Sequence, residues 1–122
     1  MADEATHRAE AFANRRIAER LLASLSNDPT ALRWAVTATF YSALHAMTAH
    51  LIGLGVAVTS HDDRSIALGD LRNGVPPDAF KAYQFLKRRS TGARYYVQTF
   101  APWQVRRLLD VPLAVIFDFV GL

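Results

Sequence analysis

The pattern of apolar and polar positions is most distinctive between Trp34 and Ser60, where the chain has no Lys, Arg, Asp or Glu. Up to about Ile52 this stretch is rich in alanine, and its large apolar residues fall on nearly every side of a helix. A helix that is apolar all round is buried on all sides. The stretch is also long enough to span a membrane. Because His45, His50 and several hydroxyl side chains interrupt it, we prefer a buried central helix to a membrane span.

The segment before this helix has the period of an amphipathic helix. We expect a first helix from near Asp3 to about Leu25, with one apolar face. Its predicted face consists of Phe12, Ile17, Leu21 and Leu25. Asp28 is placed to cap the central helix with Pro29 in its first turn, and the glycines after Ile52 end that helix.

The segments after the central helix predict further helices. Ser60 can cap a brief helix, and a long helix is expected from Pro77 or Asp78 to about Tyr96, with Phe80, Tyr83, Phe85 and Leu86 inside. The last helix is expected from Thr99 or Ala101, with a kink or a break at Pro112. The sequence thus predicts one all-α domain over residues 1–122, an up-and-down bundle of four long helices and one short helix with the second helix central. The apolar tail after Pro112 either packs on the central helix or forms an oligomer contact.

Charge is unevenly distributed along the chain. The stretch from Leu71 to Arg107 has eight cations against Asp78 alone, a net charge of +7 in a chain whose total is +3, which leaves −4 for the rest. Such asymmetry is typical of a surface that faces a polyanion. It is equally typical of an ordinary solvated face, and both interpretations stay open.

Cysteine is absent from the chain, which excludes disulfides and thiolate metal sites and fits a cytoplasmic protein. The first ten residues, MADEATHRAE, are too polar for a secretory signal. His61-Asp62-Asp63 has no second histidine at ligand spacing, so a helix cap is preferred to a metal site. No glycine loop for phosphates or dinucleotides, zinc-protease motif or nucleophile elbow occurs, and we expect no cofactor.

Two groups of side chains could carry chemistry. Tyr41 and His45 lie four residues apart and share a helix face, either as an acid–base or stacking pair or as a hydrogen-bonded pair inside the bundle. The preferred interpretation is structural. The second group, a polar run after Leu86, joins guanidinium groups, which bind phosphate, to tyrosines, which stack on bases. Its candidate residues are Lys87, Arg88, Arg89, Arg94 and Tyr95.

Three motifs resemble those of HEPN domains. The helical segment Phe40-Tyr41-Ser42-Ala43-Leu44-His45-Ala46 resembles the YYAxFHAA helix of that family, and His61 resembles the histidine that follows it. The segment from Arg89 to Tyr95 resembles the RxxADY segment. The resemblance extends from about Thr30 to the C-terminus. It implies a small helical bundle that usually dimerises and works in RNA-directed toxin–antitoxin or defence systems, often beside a minimal nucleotidyltransferase.

Active members of that family are metal-independent ribonucleases with an arginine followed, four to six residues later, by a histidine across the dimer interface. Here the positions after Arg89 hold Arg94, Tyr95 and Tyr96, and no histidine follows His61. We therefore expect a non-catalytic, dimeric, HEPN-like module that binds RNA, a nucleotide or a partner protein. One alternative is a divergent ribonuclease that uses Arg89 with Tyr95 or His45. The other is a structural bundle that binds only another protein chain.

Overall fold

The computed structural model describes residues 2–122, and this part of the chain is helical, with no strand. Six α-helices occur in it, together with a short 3₁₀ turn between the third and the fourth. They are α1 (Glu4–Ser24), α2 (Pro29–Gly53), α3 (His61–Gly69), the 3₁₀ turn (Leu71–Asn73), α4 (Pro77–Tyr95), α5 (Pro102–Asp110) and α6 (Pro112–Val120). The predicted all-α bundle is confirmed.

The side chains predicted to cap the first three helices do so. Asp3 Oδ1 accepts a hydrogen bond from the Thr6 amide at 2.8 Å, and Asp28 Oδ1 accepts one from the Thr30 amide at 2.9 Å. Ser60 Oγ accepts from the amide of Asp63 at 3.0 Å. Each bond satisfies an amide that has no partner within its own helix.

Helix α2 is central, as predicted. Most of its residues are buried, and it packs against each of the other α-helices. Its buried threonines bond back to the preceding turn: Thr39 Oγ1, for example, donates to the Ala35 carbonyl at 2.8 Å, so no hydroxyl is left unpaired there. Trp34, which was expected inside, is 61% exposed. Among the described residues, no helix has the length and apolarity needed to cross a bilayer.

The buried face of α1 is not the predicted one. Its buried residues are Ala11, Ala18 and Leu22, whereas Phe12 and Ile17 are 37% and 47% exposed. Leu21 is half-buried, and Leu25 is exposed at the end of the helix. The reason is close approach of the helices: Ser42 Oγ on α2 donates a 2.6 Å hydrogen bond to the carbonyl of Ala11. Small side chains occupy such a seam, and larger ones are displaced to its edges.

The C-terminal part of the chain forms two helices rather than one. α5 ends at Asp110 and α6 begins at Pro112, which has no amide hydrogen to continue the α5 ladder. Leu113, Ile116 and Phe117 of α6 are buried, and α6 packs on α4 and α2. The apolar tail therefore packs on the bundle, the first of the two predicted alternatives.

Helix α4 runs without a break through Gly92, although a glycine inside a helix costs about 1 kcal/mol relative to alanine. The Gln98 side chain packs directly on Gly92, and the Gly92 carbonyl accepts hydrogen bonds from the amides of Tyr96 and Gln98. Close packing against the Gln98 side chain therefore explains why a glycine stands at this position of the helix. Tyr83 and Leu86 are buried as predicted, while Phe80 and Phe85 are half-buried.

Candidate anion-binding face between α2, α3 and α4

Arg94, near the end of α4, is held against the central helix. Its Nη1 donates to the Tyr41 hydroxyl at 3.2 Å and its Nε to the Ser90 carbonyl at 3.4 Å. The guanidinium also lies over the rings of Tyr95, at 5.1 Å, and Tyr41, at 5.7 Å. Arg94 is therefore fixed by hydroxyl, carbonyl and aromatic groups, none of which carries a negative charge.

Two further cations are fixed in the same way. Lys87 Nζ donates to Ser65 Oγ of α3 at 3.1 Å, and Arg64 Nε donates to Thr48 Oγ1 of α2 at 2.9 Å. Thr48 lies seven residues after Tyr41, on the same side of α2. Both cations are ordered by neutral acceptors, so their charges are not neutralised by these contacts.

His61, the first residue of α3, lies among these cations. Its ring is stacked on that of Phe40, with centroids 6.2 Å apart and 27° between the planes. Burial lowers the pKa of His61, and the positive charges of Arg64, Lys87 and Arg94 lower it further, while Asp62 partly offsets them. Because its ordinary pKa is about 6.5, the imidazole is mainly neutral at pH 7 and can both donate and accept a hydrogen bond.

We call the surface formed by Tyr41, His61, Arg64, Lys87 and Arg94 the Tyr41–Arg94 face. Within residues 2–122, every ion pair involves Arg8, Arg72 or Arg106, and none involves a cation of this face. A side chain held by neutral partners keeps an uncompensated charge. The face therefore has a positive electrostatic potential.

Aromatic side chains adjoin this face. Tyr95, at the end of α4, is 70% exposed, and its ring lies 5.1 Å from the Arg94 guanidinium. Beneath the face, the Tyr83 hydroxyl is buried and makes no hydrogen bond within the described chain; burial raises its pKa, and the nearby Arg64 guanidinium lowers it in part. Exposed tyrosines beside fixed cations are the combination that binds single-stranded nucleic acids.

His45 does not contact the cations of this face. Its Nδ1 lies 2.9 Å from Nδ1 of His7 on α1, so one ring donates and the other accepts. Burial lowers the pKa of His45, the charge of His7 and more weakly that of Arg64 lower it too, and Glu10 raises it. Tyr41 and His45 thus share a side of α2, but each has its own partner on another helix.

The polar run of α4 is divided among three sides of the helix. Arg89 points about 140° away from Arg94 around the helix axis, and its guanidinium lies 4.9 Å from the centroid of Phe85. Arg88 is exposed between the two sides. Arg89 also points about 120° away from Tyr95, and His45 is paired with His7. The structure does not bring Arg89 together with Tyr95 or His45.

Arg64 was missed by the sequence analysis as a site residue, and His61 was considered only as part of a metal site or helix cap and through the HEPN resemblance. Their spacing, His-x-x-Arg at the start of a helix, places both on one side of α3. That signal is readable from the sequence, but the direction in which so short a helix packs is not. Within residues 2–122, no three His, Asp or Glu side chains are grouped so that they could hold a metal ion.

No known family model, no curated protein and no solved structure matches this chain. The HEPN resemblance therefore stays a prediction from the motifs around Tyr41, His61 and Arg89.

Proposed function

We propose that this protein is a binding module for single-stranded RNA and that the RNA binds at the Tyr41–Arg94 face. The observation that carries the proposal is the convergence of Arg64, Lys87 and Arg94 around His61, each cation fixed by a neutral partner. A phosphate backbone supplies the missing counter-charge at repeated intervals. It also gains entropy by releasing its condensed counterions.

Single-stranded rather than double-stranded RNA is favoured by an exposed tyrosine. The Tyr95 ring lies beside the Arg94 guanidinium at the edge of the cationic surface and is 70% exposed. Bases that are free of a duplex can stack on such rings, with about 1–3 kcal/mol per base. A paired base keeps its faces inside the duplex and cannot use them.

The proposal includes a homodimer, as the HEPN resemblance implies. Trp34 on α2 and Val97 after α4 are 61% and 63% exposed, and contact with a second copy would bury such side chains. Light scattering at micromolar concentration should give the mass of two chains. A monomer mass would remove the dimer from the proposal without touching the RNA site.

The test is RNA binding by fluorescence anisotropy, with a labelled twelve-nucleotide single strand and no divalent metal. Arg94→Gln should weaken binding at least about tenfold, since a charge-assisted phosphate contact is worth roughly 1.5–3 kcal/mol. Arg88→Gln, the matched control on the same helix, should change it less than threefold. Equal losses in the two variants would contradict a defined site, and the absence of binding by the wild type would favour the protein-interaction alternative.

A second candidate function, metal-independent RNA cleavage, is supported by His61. Its neutral imidazole lies among cations that could hold a phosphodiester. It could accept the proton of a 2′-hydroxyl, whose oxygen would attack the adjacent phosphorus. The 5′-oxygen would then leave with a proton from water, and the products would be a 2′,3′-cyclic phosphate and a free 5′-hydroxyl. Incubation with RNA, followed by gel analysis, separates the functions: cleavage lost in His61→Ala supports the nuclease, and intact RNA with tight binding supports the module.

A further inference from the structure

A second cationic surface lies on the other side of α4. Between α4, α5 and α6 is a groove of about 540 Å³, which we call the α4–α5 groove. Its apolar walls include Phe85, Phe100 and Trp103, and its cations are Lys81, Arg89 and Arg107. This volume lies in the range of small-molecule sites.

The charges of this groove are as unbalanced as those of the Tyr41–Arg94 face. Asp78 is the one carboxylate among its lining residues, against three cations. None of these cations makes an ion pair within the part of the chain that the structure describes. Arg89 rests on the Phe85 ring, which orients its guanidinium while leaving the charge free.

The apolar walls distinguish this groove from a site for a phosphate backbone. Phe100 and Leu108 are buried in its floor, and Trp103 stands at its edge with 67% of its surface exposed. A hydrophilic anion would leave these rings in water. A ligand that suits this groove therefore has an apolar part, which covers the rings, and a negative charge, which pairs with the cations.

We propose that the α4–α5 groove binds an amphipathic carboxylate, a small molecule with an apolar chain or ring system and one anionic head. The apolar part would lie between Phe85 and Trp103, and the head would meet Arg89 or Arg107. This inference does not rest on the proposed RNA site, because it uses a different side of α4 and a different set of side chains.

The chain has two tryptophans, which makes the groove measurable. In a Trp34→Phe variant, all tryptophan emission comes from Trp103 at the edge of the groove. Decanoate should give a saturable blue shift of this emission. Decyltrimethylammonium has the same chain and the opposite charge, and it should bind at least about tenfold more weakly.

Charge variants in the Trp34→Phe background locate the head group. Arg89→Gln and Arg107→Gln should each weaken decanoate binding several-fold and leave the affinity for decanol unchanged. Arg88→Gln, which lies outside the groove, should leave both affinities unchanged. Circular dichroism melting establishes that every variant is folded.

Three results would overturn the proposal. The first is equal binding of the two decyl ions, and the second is a Trp103 emission that decanoate does not shift. The third is an emission that moves to the blue as the protein itself is concentrated, in step with dimer formation, because the groove would then be covered by a second copy of the chain.

Discussion

The salt dependence of RNA binding is the sharpest test of the Tyr41–Arg94 face, because the structure sets its expected slope. Arg64, Lys87 and Arg94 are the charged groups that would neutralise phosphates, while His61 stays mainly neutral at pH 7. For single strands the logarithm of the affinity falls with the logarithm of salt by about 0.7 per phosphate neutralised. Three contacts therefore predict a slope of about −2.1.

The slope translates into a measurable loss of affinity. Between 50 and 200 mM KCl, wild-type affinity should fall about 18-fold. Arg94→Gln removes one contact, so its slope should be about −1.4 and its loss about sevenfold over the same range. Titrations by anisotropy at four or more salt concentrations give both slopes directly.

The control is again Arg88→Gln, which removes a charge from the exposed side of α4 and should keep the wild-type slope. A wild-type slope shallower than about −0.7 would mean that fewer than one phosphate is neutralised. Equal slopes in wild type and Arg94→Gln would likewise refute the assignment of Arg94 as a phosphate contact.

Three predictions concern stability. Folding lowers the pKa values of His45 and His61, so the unfolded chain binds more protons than the folded chain near and below pH 6.5, and the urea midpoint should fall as the pH is taken from 7.5 to 5.5. His45→Gln should make the midpoint depend less on pH. A midpoint that rises on acidification would contradict this sign. Phe40→Ala should cost about 3–5 kcal/mol of unfolding free energy, because Phe40 is fully buried against Tyr83; a loss below about 1 kcal/mol would show that the core is not packed as described. Val97 has a left-handed φ of 51°, so Val97→Gly should raise the free energy of unfolding by up to about 1 kcal/mol, and Val97→Ala should raise it much less. Equal denaturation midpoints for the two variants would argue against backbone strain at this position.

The sequence was sufficient to predict where the helices begin and end, because these boundaries depend on local signals. Asp28 with Pro29 starts α2, and Ser60 starts α3, through contacts within three residues along the chain. Pro112 separates α5 from α6 for a reason that is equally local, the missing amide hydrogen. Such features do not depend on how the helices pack against one another.

The buried face of α1 could not be predicted in the same way. The large apolar residues suggested Phe12 and Ile17, but the seam runs through Ala11 and Ala18. Which stripe is buried depends on how closely two helices approach. That distance is set jointly by the side chains of both helices, here by the alanines of α1 and the alanine-rich surface of α2.

The candidate site was predictable in composition but not in arrangement. Lys87, Arg89 and Arg94 are close in sequence, yet helix geometry sends Arg89 to a different side of α4. Arg64 and His61 join Lys87 and Arg94 only because α3 packs on α2 and its Ser65 meets Lys87 of α4, a long-range relation that no local pattern encodes. The strong positive charge from Leu71 to Arg107 therefore predicted a cationic helix without showing that its cations lie on different sides.

Having both surfaces on one rigid helix leads to a last prediction, on how their ligands influence each other. Decanoate in the α4–α5 groove would lower the positive potential around α4 and weaken RNA binding at low salt. At physiological ionic strength, salt screens charges over about 8 Å, so the charge of bound decanoate would have little effect on RNA binding at the other surface. If the sites are separate, decanoate should therefore weaken RNA binding at 20 mM KCl and have almost no effect at 150 mM.

Direct competition would behave differently. If decanoate and RNA occupied one site, saturating decanoate would displace RNA at every salt concentration, because occupancy rather than potential would exclude the second ligand. Anisotropy titrations of RNA with and without decanoate, at both salt concentrations, distinguish the two cases. Displacement that persists at 150 mM would refute the division of α4 into two sites. Because Arg89→Gln weakens decanoate binding several-fold, it should shift the low-salt effect to several-fold higher decanoate concentrations.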